Sequence, residues 1–213
     1  MEAITTQKYR EPTNADPLIS LIKQKRKIII ALNGSKSSTK SGGGWIIADE
    51  EGGEIISGFN PDFRDITQIN SHRAEIYGAL SVFIMLHEYC KFYRVTLESP
   101  IQYYCDNKEV VKKLNNIIEK KRTFYSSNSK IKDTDVVLEI QRYILTTITV
   151  SHVKGHQYRL KRQEQRTMTE TLNIKAGKII GKHASIPKAI HIRNTIMAVY
   201  INTPTSLTIL EEK

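Results

Sequence analysis

The apolar run Ile28–Leu32 constrains the fold more than any other part of this chain. Its five residues, Ile-Ile-Ile-Ala-Leu, show no polar alternation and end at Asn33-Gly34. A strand with this pattern is buried on both faces, which is typical of the centre of a sheet. The run therefore predicts a central strand.

The patterns that follow predict the rest of the sheet. Two short β-type runs, Ser41–Ile47 and Glu54–Phe59, flank an acidic, glycine-containing turn and predict a hairpin. The later predicted elements are a helix over Ser71–Tyr89, a strand over Ile101–Cys105, a short amphipathic helix through Leu114, a helix capped by Asp133 or Thr134, a strand over Ile148–Val153 and a helix over Thr169–Ala184. A three-strand meander followed by strand–helix crossovers predicts an α/β fold, with a five-stranded mixed sheet flanked by helices.

The positive charge of the chain is concentrated in two segments. The 213 residues carry a formal net charge of +10. Lys108–Lys132 holds eight basic residues against two acids, and Lys154–Arg166 holds five against one. Concentrated basic segments are typical of a surface that binds a polyanion, and they favour nucleic acid. Neither segment has the apolar face of a membrane-surface helix, so we expect no membrane partner.

The same sequence argues against secretion. Only Cys90 and Cys105 could form a disulfide, no apolar run approaches the ~20 residues of a membrane span, and the first twelve residues lack the apolar stretch of a signal peptide. We therefore expect an intracellular protein, cytoplasmic or nuclear.

Three polar residues fall where such a sheet gathers a site. Asn33 closes the first strand, Asp106 closes the fourth, and Glu75 lies one turn inside the first long helix. Ligands of mixed α/β sheets collect outside the carboxyl ends of the strands. Asp106 has an alternative role as the cap of the next helix. Cys105 is expected to be only a small buried apolar residue.

Six motifs of the chain, in this order, resemble those of the ribonuclease H family, in particular the versions found in retroelement polyproteins. They are Ala31–Ser35, Gly42–Trp45, Ser71–Glu75, Tyr104–Asn107, Val153–His156 and Leu172–Gly177. The resemblance implies a ribonuclease H-like fold over about residues 27–184. Family members hold two magnesium ions with four carboxylates and cut the RNA strand of an RNA–DNA hybrid.

The chain departs from the family at two of those four positions. Glu75 and Asp106 match catalytic, metal-binding carboxylates, whereas Asn33 and Gly177 stand where the family has aspartates. An amide offers one neutral oxygen, and glycine offers no side chain. Because Mg²⁺ binds anionic oxygen and loses water reluctantly, we expect magnesium binding to be weak or lost. Neither Glu170 nor Asp49 is placed to substitute. His156 matches the family's catalytic loop histidine. The alternative is that His156 is an ordinary exposed loop residue.

Binding of the duplex does not need the missing carboxylates, because it proceeds through phosphates and 2′-hydroxyl groups. The resemblance assigns nucleic-acid contacts to two groups of residues. One surrounds the site, and the other lies on a basic protrusion: Gly34, Ser35, Ser71, His72 and Asn107, then Lys112, Lys113, Lys120, Lys121 and Arg122.

Three functions remain open at this point. The first is a retroelement-derived domain that binds RNA–DNA hybrid or another duplex, with cleavage lost or strongly reduced. The second is an active hybrid ribonuclease with substitute ligands. The third is a structural module next to the reverse transcriptase region of a polyprotein. The expected organisation is a lead-in over 1–26, a ribonuclease H-like domain over 27–185, and a tail over 186–213 that forms either an added strand pair or no fixed structure.

Overall fold

A computed structural model describes residues 16–36, 41–61, 71–119, 133–144, 147–155, 162–182, 199–203 and 206–210. It contains five α-helices and seven strands within those ranges. The strands are β1 Ile28–Lys36, β2 Ser41–Ala48, β3 Glu54–Pro61, β4 Ile101–Cys105, β5 Ile148–His152, β6 Val199–Thr203 and β7 Ser206–Leu210. The helices are α1 Pro17–Lys23, α2 Ser71–Tyr93, α3 Lys108–Ile118, α4 Thr134–Tyr143 and α5 Met168–Lys182.

The strands form one mixed sheet in the order β5-β4-β1-β2-β3-β6-β7. The first three strands of the chain form the predicted antiparallel meander, and β4 and β5 run parallel to β1. This confirms the predicted five-stranded mixed sheet with Ile28–Leu32 at its centre. Two further strands from the tail extend this sheet, because β6 pairs with β3 and β7 pairs with β6. They form the added strand pair that was one of the two alternatives for this segment.

The two faces of the sheet are covered by different helices. Ile28, Ile30 and Leu32 pack in a large core with α1, α2, α3 and α4. The alternate residues Ile29 and Ala31 pack against α5. A central strand flanked by helices on both sides needs this double burial, which explains why its sequence shows no polar alternation.

Helix α1 was not expected, and it lies within the predicted lead-in over residues 1–26. Asp16 caps this helix by accepting hydrogen bonds from the backbone nitrogens of Leu18 and Ile19. The helix buries four apolar side chains, Leu18, Ile19, Leu21 and Ile22. All of these except Ile19 belong to the large core. Burial of these side chains makes the helix part of the core.

Helix α2 lies unusually close to strand β2. A Cβ atom placed on Gly43 would lie 2.5 Å from the carbonyl oxygen of Ala74 and 2.5 Å from the Cα atom of Gly78. Gly43 of β2 therefore allows the backbones of the strand and the helix to approach each other closely. The contact fixes the start of α2, where Glu75 lies, against the sheet. None of the helices in the described ranges is long and apolar enough to cross a membrane.

Candidate functional site

Strand register brings Asn33 and Asp106 to the same level of the sheet. Leu32 pairs with Cys105, the last residue of β4. Asn33 and Asp106 are thus the next residues on two neighbouring parallel strands. Strand β1 itself continues to Lys36, four residues beyond its predicted end, because it goes on pairing with β2. Asn33 lies inside this strand rather than at its end, at the point where pairing with β4 stops.

Gly34 brings Glu75 to this level from the helix side. A Cβ atom on Gly34 would overlap Cγ of Glu75 and lie 2.7 Å from the backbone nitrogen of Glu75. Only glycine permits this approach without displacing α2. Glu75 is 6% exposed.

Glu75, Cys105 and Asp106 form the group in the described residues that could hold a metal ion. One possible ligand atom from each of the three lies within 4.8 Å of the others. Cys105 donates a hydrogen bond from Sγ to Oε2 of Glu75 over 3.1 Å. Cys105 is buried as expected, but it also contacts the carboxylate that the sequence singled out. In the sequence, the one indication of this contact was the position of Cys105 at the end of the predicted strand, directly before Asp106.

The environment of Glu75 favours its protonated form. Burial, followed by the neighbouring negative charge of Asp106, raises the pKa of Glu75 to about 8. Hydrogen bonds from Cys105 and Asn107 act in the opposite direction with smaller effect. A cation bound beside Glu75 would reverse this preference, because it would stabilise the ionised carboxylate.

Asn107, and not Asp106, caps helix α3. Its Oδ1 accepts hydrogen bonds from the backbone nitrogens of Glu109 and Val110, at 3.0 and 3.3 Å. Its Nδ2 donates to Oε1 of Glu75 over 3.5 Å. The alternative capping role of Asp106 is therefore wrong. The Asp106 carboxylate instead lies against Gly155, where a Cβ atom would overlap Oδ2.

The two altered positions, Asn33 and Gly177, face each other on the α5 side of the sheet. Nδ2 of Asn33 donates to the backbone oxygen of Asn173 at 3.3 Å and to its Oδ1 at 3.2 Å. Nδ2 of Asn173 in turn donates to the backbone oxygen of Leu32 over 2.7 Å. A Cβ atom on Gly177 would lie 3.2 Å from both Cγ and Nδ2 of Asn33. The amide of Asn33 is thus held by α5.

The two acids considered as substitutes are committed elsewhere. Glu170 accepts a hydrogen bond from the backbone nitrogen of Thr167 at 2.9 Å, and Oγ1 of Thr167 accepts one from the nitrogen of Glu170 at 3.3 Å. This reciprocal pair begins α5 as a capping box. Asp49 accepts from the backbone nitrogens of Glu51 and Gly53 in the predicted hairpin turn.

A cavity of about 510 Å³ separates the end of β1 from α5. We call it the β1–α5 cavity. Its polar and glycine lining consists of Asn33–Ser35, Arg166, Asn173, Gly177 and Lys178. Two of the predicted nucleic-acid contacts, Gly34 and Ser35, thus line the same cavity as both altered positions.

A second depression lies between α3 and the edge strand β5. It has a volume of about 400 Å³, and its lining includes Lys108, Lys112, Asn115 and His152. Lys112 was predicted to contact nucleic acid, whereas Lys108 and His152 were not. Lys113 lies half-buried on the same helix. The remaining predicted residues, Lys120, Lys121, Arg122 and His156, lie outside the described residues.

The predicted contacts at the start of α2 have different surroundings. Ser71 is exposed, but His72 contacts Asp133, with 2.7 Å between Nδ1 and Oδ2. Arg73 pairs with the same aspartate at 3.0 Å and with Asp135 at 2.8 Å. Asp133 does precede α4 as predicted, but it makes no side-chain cap and has a positive φ of 60°. Burial opposes its ionisation, yet hydrogen bonds from His72 and Arg73 outweigh this and lower the pKa of Asp133.

Several solved structures are similar to this chain, all at low sequence identity. LC9-RNase H1, a type 1 RNase H with the type 2 active-site motif, has a TM-score of 0.51 and 12% identity, over 74% of this chain and 73% of its own. The PFV RNase H domain has a TM-score of 0.49 and 17% identity, over 74% of this chain and 93% of its own. LC11-RNase H1, from compost, in complex with an RNA/DNA hybrid has a TM-score of 0.46 and 14% identity, over 74% of this chain and 99% of its own.

No protein-family profile matches the chain, and no curated protein matches it. The likeness to LC9-RNase H1, together with the sheet order, shows that this chain has the ribonuclease H fold.

Proposed function

We propose that this chain is a retroelement-derived, ribonuclease H-like domain that binds RNA–DNA hybrid, and that its magnesium-dependent cleavage of the RNA strand is lost or strongly reduced. The observation that carries the proposal is the amide of Asn33, held by Asn173 and adjacent to Gly177. Two of the four positions at which the family has carboxylates thus carry no negative charge.

Paired-metal cleavage needs carboxylates that bridge and neutralise two ions about 3.5–4 Å apart. Glu75 and Asp106 supply two, and Cys105 adds a thiol that suits softer metals better than Mg²⁺. These three residues fit a single ion better than a pair. When bound, such an ion would polarise a phosphoryl oxygen, while Asn107 would hold one oxygen of Glu75 in place.

Binding has independent support from the distribution of positive charge. Lys108 and Lys112 line the depression beside β5, and Lys178 and Arg166 line the β1–α5 cavity. Contacts of this kind neutralise phosphates and carry no sequence preference. A duplex recognised by shape is consistent with this arrangement.

The test is fluorescence anisotropy with a labelled RNA–DNA hybrid in EDTA over a salt series. We expect binding that weakens steeply with salt, and weaker binding by the Lys108→Glu and Lys112→Glu variants. The matched control is Lys91→Glu, an exposed lysine on α2 outside both cavities. Absence of binding by the wild-type chain at low salt would contradict the proposal.

A second candidate function is an active hybrid ribonuclease that uses Cys105 as a substitute ligand. The contact between Cys105 and Glu75 favours it. A cleavage assay with Mg²⁺ and with Mn²⁺ separates the two functions. Brisk cleavage by the wild-type chain, abolished in Cys105→Ala, would establish the second candidate and overturn the loss of activity.

A further inference from the structure

The β1–α5 cavity has a charge opposite to that of a metal-binding site. Arg166 and Lys178 both line it, and its eight described lining residues include no acid. The two altered positions add no charge to the cavity. The Asn33 side chain is hydrogen-bonded to the neutral side chain of Asn173, and Gly177 has no side chain. The charge of this lining therefore favours an anion over a cation.

The cavity also has the dimensions of a ligand site. Its volume of about 510 Å³ falls within the range of about 300–1,000 Å³ typical of small-molecule sites. Its lining includes two glycines, Gly34 and Gly177. Ser35, exposed at its edge, adds a hydroxyl donor.

We propose that the β1–α5 cavity binds a backbone phosphate of a nucleic-acid strand directly, through Arg166 and Lys178, without a metal ion. This inference rests on the proposed function and specifies how the altered site holds its ligand. A guanidinium group matches the geometry of a phosphate through two parallel hydrogen bonds, and an ammonium group adds a point charge. Arg166 enters from the turn before α5, and Lys178 from the helix itself.

The neutral clip between Asn33 and Asn173 belongs to this arrangement. An aspartate at position 33 would bring a negative charge to the wall of the cavity and repel a phosphate. The amide avoids that repulsion, and its two donated hydrogen bonds fix its orientation. Loss of the carboxylates therefore permits a phosphate contact that needs no bridging cation.

The test measures hybrid binding in EDTA by the Lys178→Gln and Arg166→Gln variants. The matched control is Lys175→Gln, which removes an exposed lysine from the same helix outside the cavity. We expect each cavity variant to bind about three- to tenfold more weakly. We also expect the slope of log K against log salt to fall by roughly 0.9 per lost phosphate contact, with Lys175→Gln unchanged. Circular dichroism checks that Arg166→Gln is folded. If Arg166→Gln is not folded, the comparison of Lys178→Gln with Lys175→Gln decides the result.

A second measurement separates a strand phosphate from a free one. Pyrophosphate is titrated against chloride at equal ionic strength, and the backbone amide signals of Gly34 and Gly177 are followed by NMR. We expect both signals to shift with pyrophosphate in the wild type and less in Lys178→Gln.

The outcomes distinguish this inference from the proposed function. If the wild type binds hybrid and all three variants bind equally well, the cavity site is overturned while hybrid binding stands. If the wild type binds no hybrid, the proposed function fails, and the strand-phosphate site fails with it. Shifts with pyrophosphate would then assign the cavity to free phosphate compounds instead.

Discussion

Asn33 donates two hydrogen bonds to a single residue, Asn173, which lies 140 positions further along the chain. Both acceptors, the backbone oxygen and Oδ1, require a donor at position 33. A carboxylate has none when ionised, so the local structure is adapted to the amide and not to an aspartate.

Substitution of Asn33 by Asp should therefore destabilise the fold. The carboxylate oxygen that replaces Nδ2 would face two acceptor oxygens of Asn173, and we expect the free energy of unfolding to fall by about 1–3 kcal/mol. Urea unfolding measures this loss, with Asn116→Asp on α3 as the control for an added charge. Equal stability of the two variants would contradict the role given to the clip.

Restoration of both aspartates should restore metal binding. In Asn33→Asp with Gly177→Asp, two carboxylates would repel each other across the narrow gap between β1 and α5 until a cation bridges them. We expect Mg²⁺ to raise the melting temperature of the double variant, and RNA-strand cleavage to appear in it. Neither single variant should show both effects. Cleavage by the wild type equal to that of the double variant would contradict this prediction.

The raised pKa of Glu75 predicts a specific pH dependence of stability. In the folded chain Glu75 keeps its proton up to about pH 8, whereas in the unfolded chain it loses the proton near the ordinary pKa of 4.5. Between these values the folded state binds more protons, so the free energy of unfolding falls as pH rises. Glu75→Gln cannot ionise, and we expect it to flatten this fall and to be more stable than the wild type at pH 8.

Urea unfolding at several pH values between about 5 and 8 checks this sign. Asp106→Asn is the informative companion variant, because it removes the neighbouring negative charge and should lower the pKa of Glu75. The assignment would be contradicted if the free energy of unfolding of the wild type rose with pH through this range. It would also be contradicted if Glu75→Gln showed the same pH dependence as the wild type.

The ion pair at the start of α2 predicts a large loss of stability when it is broken. Arg73→Met would leave the Asp133 side chain, only 4% exposed, without its guanidinium partner. We expect a loss of about 3–5 kcal/mol by chemical denaturation. Lys91→Met, which breaks the exposed pair with Glu88, should cost no more than about 1 kcal/mol. Similar losses in both variants would mean that Asp133 is not held as described.

Local sequence patterns were sufficient for the strands and for the juxtaposition of Asn33 and Asp106. The unbroken apolar run of β1 and the residue after each of two parallel strands indicated where Asn33 and Asp106 meet. The contact between Cys105 and Glu75 could not be predicted in the same way, because it depends on the depth at which α2 packs. That depth follows from the approach of Gly43 to Gly78, which joins two distant segments.

Helix α1 and the partners of Asp133 could not be predicted, because both depend on contacts between segments that are distant in the sequence. Helix α1 has only seven residues within a polar segment that contains prolines, and its burial is a property of the surface it covers. Asp133 was correctly placed before α4. Its partners, His72 and Arg73, lie about 60 residues earlier in the chain, so its side chain could not be assigned from the local pattern.

The pairing of β6 with β3 bears on how the chain should be handled. Ser57–Phe59 would present an uncovered row of backbone donors and acceptors in a protein shortened after residue 185. Such rows recruit strands from other molecules. The hairpin of β6 and β7 covers this edge of β3 and makes β7 the edge strand instead. A protein shortened after residue 185 would therefore expose β3 to pairing with other molecules even with its core and its site intact.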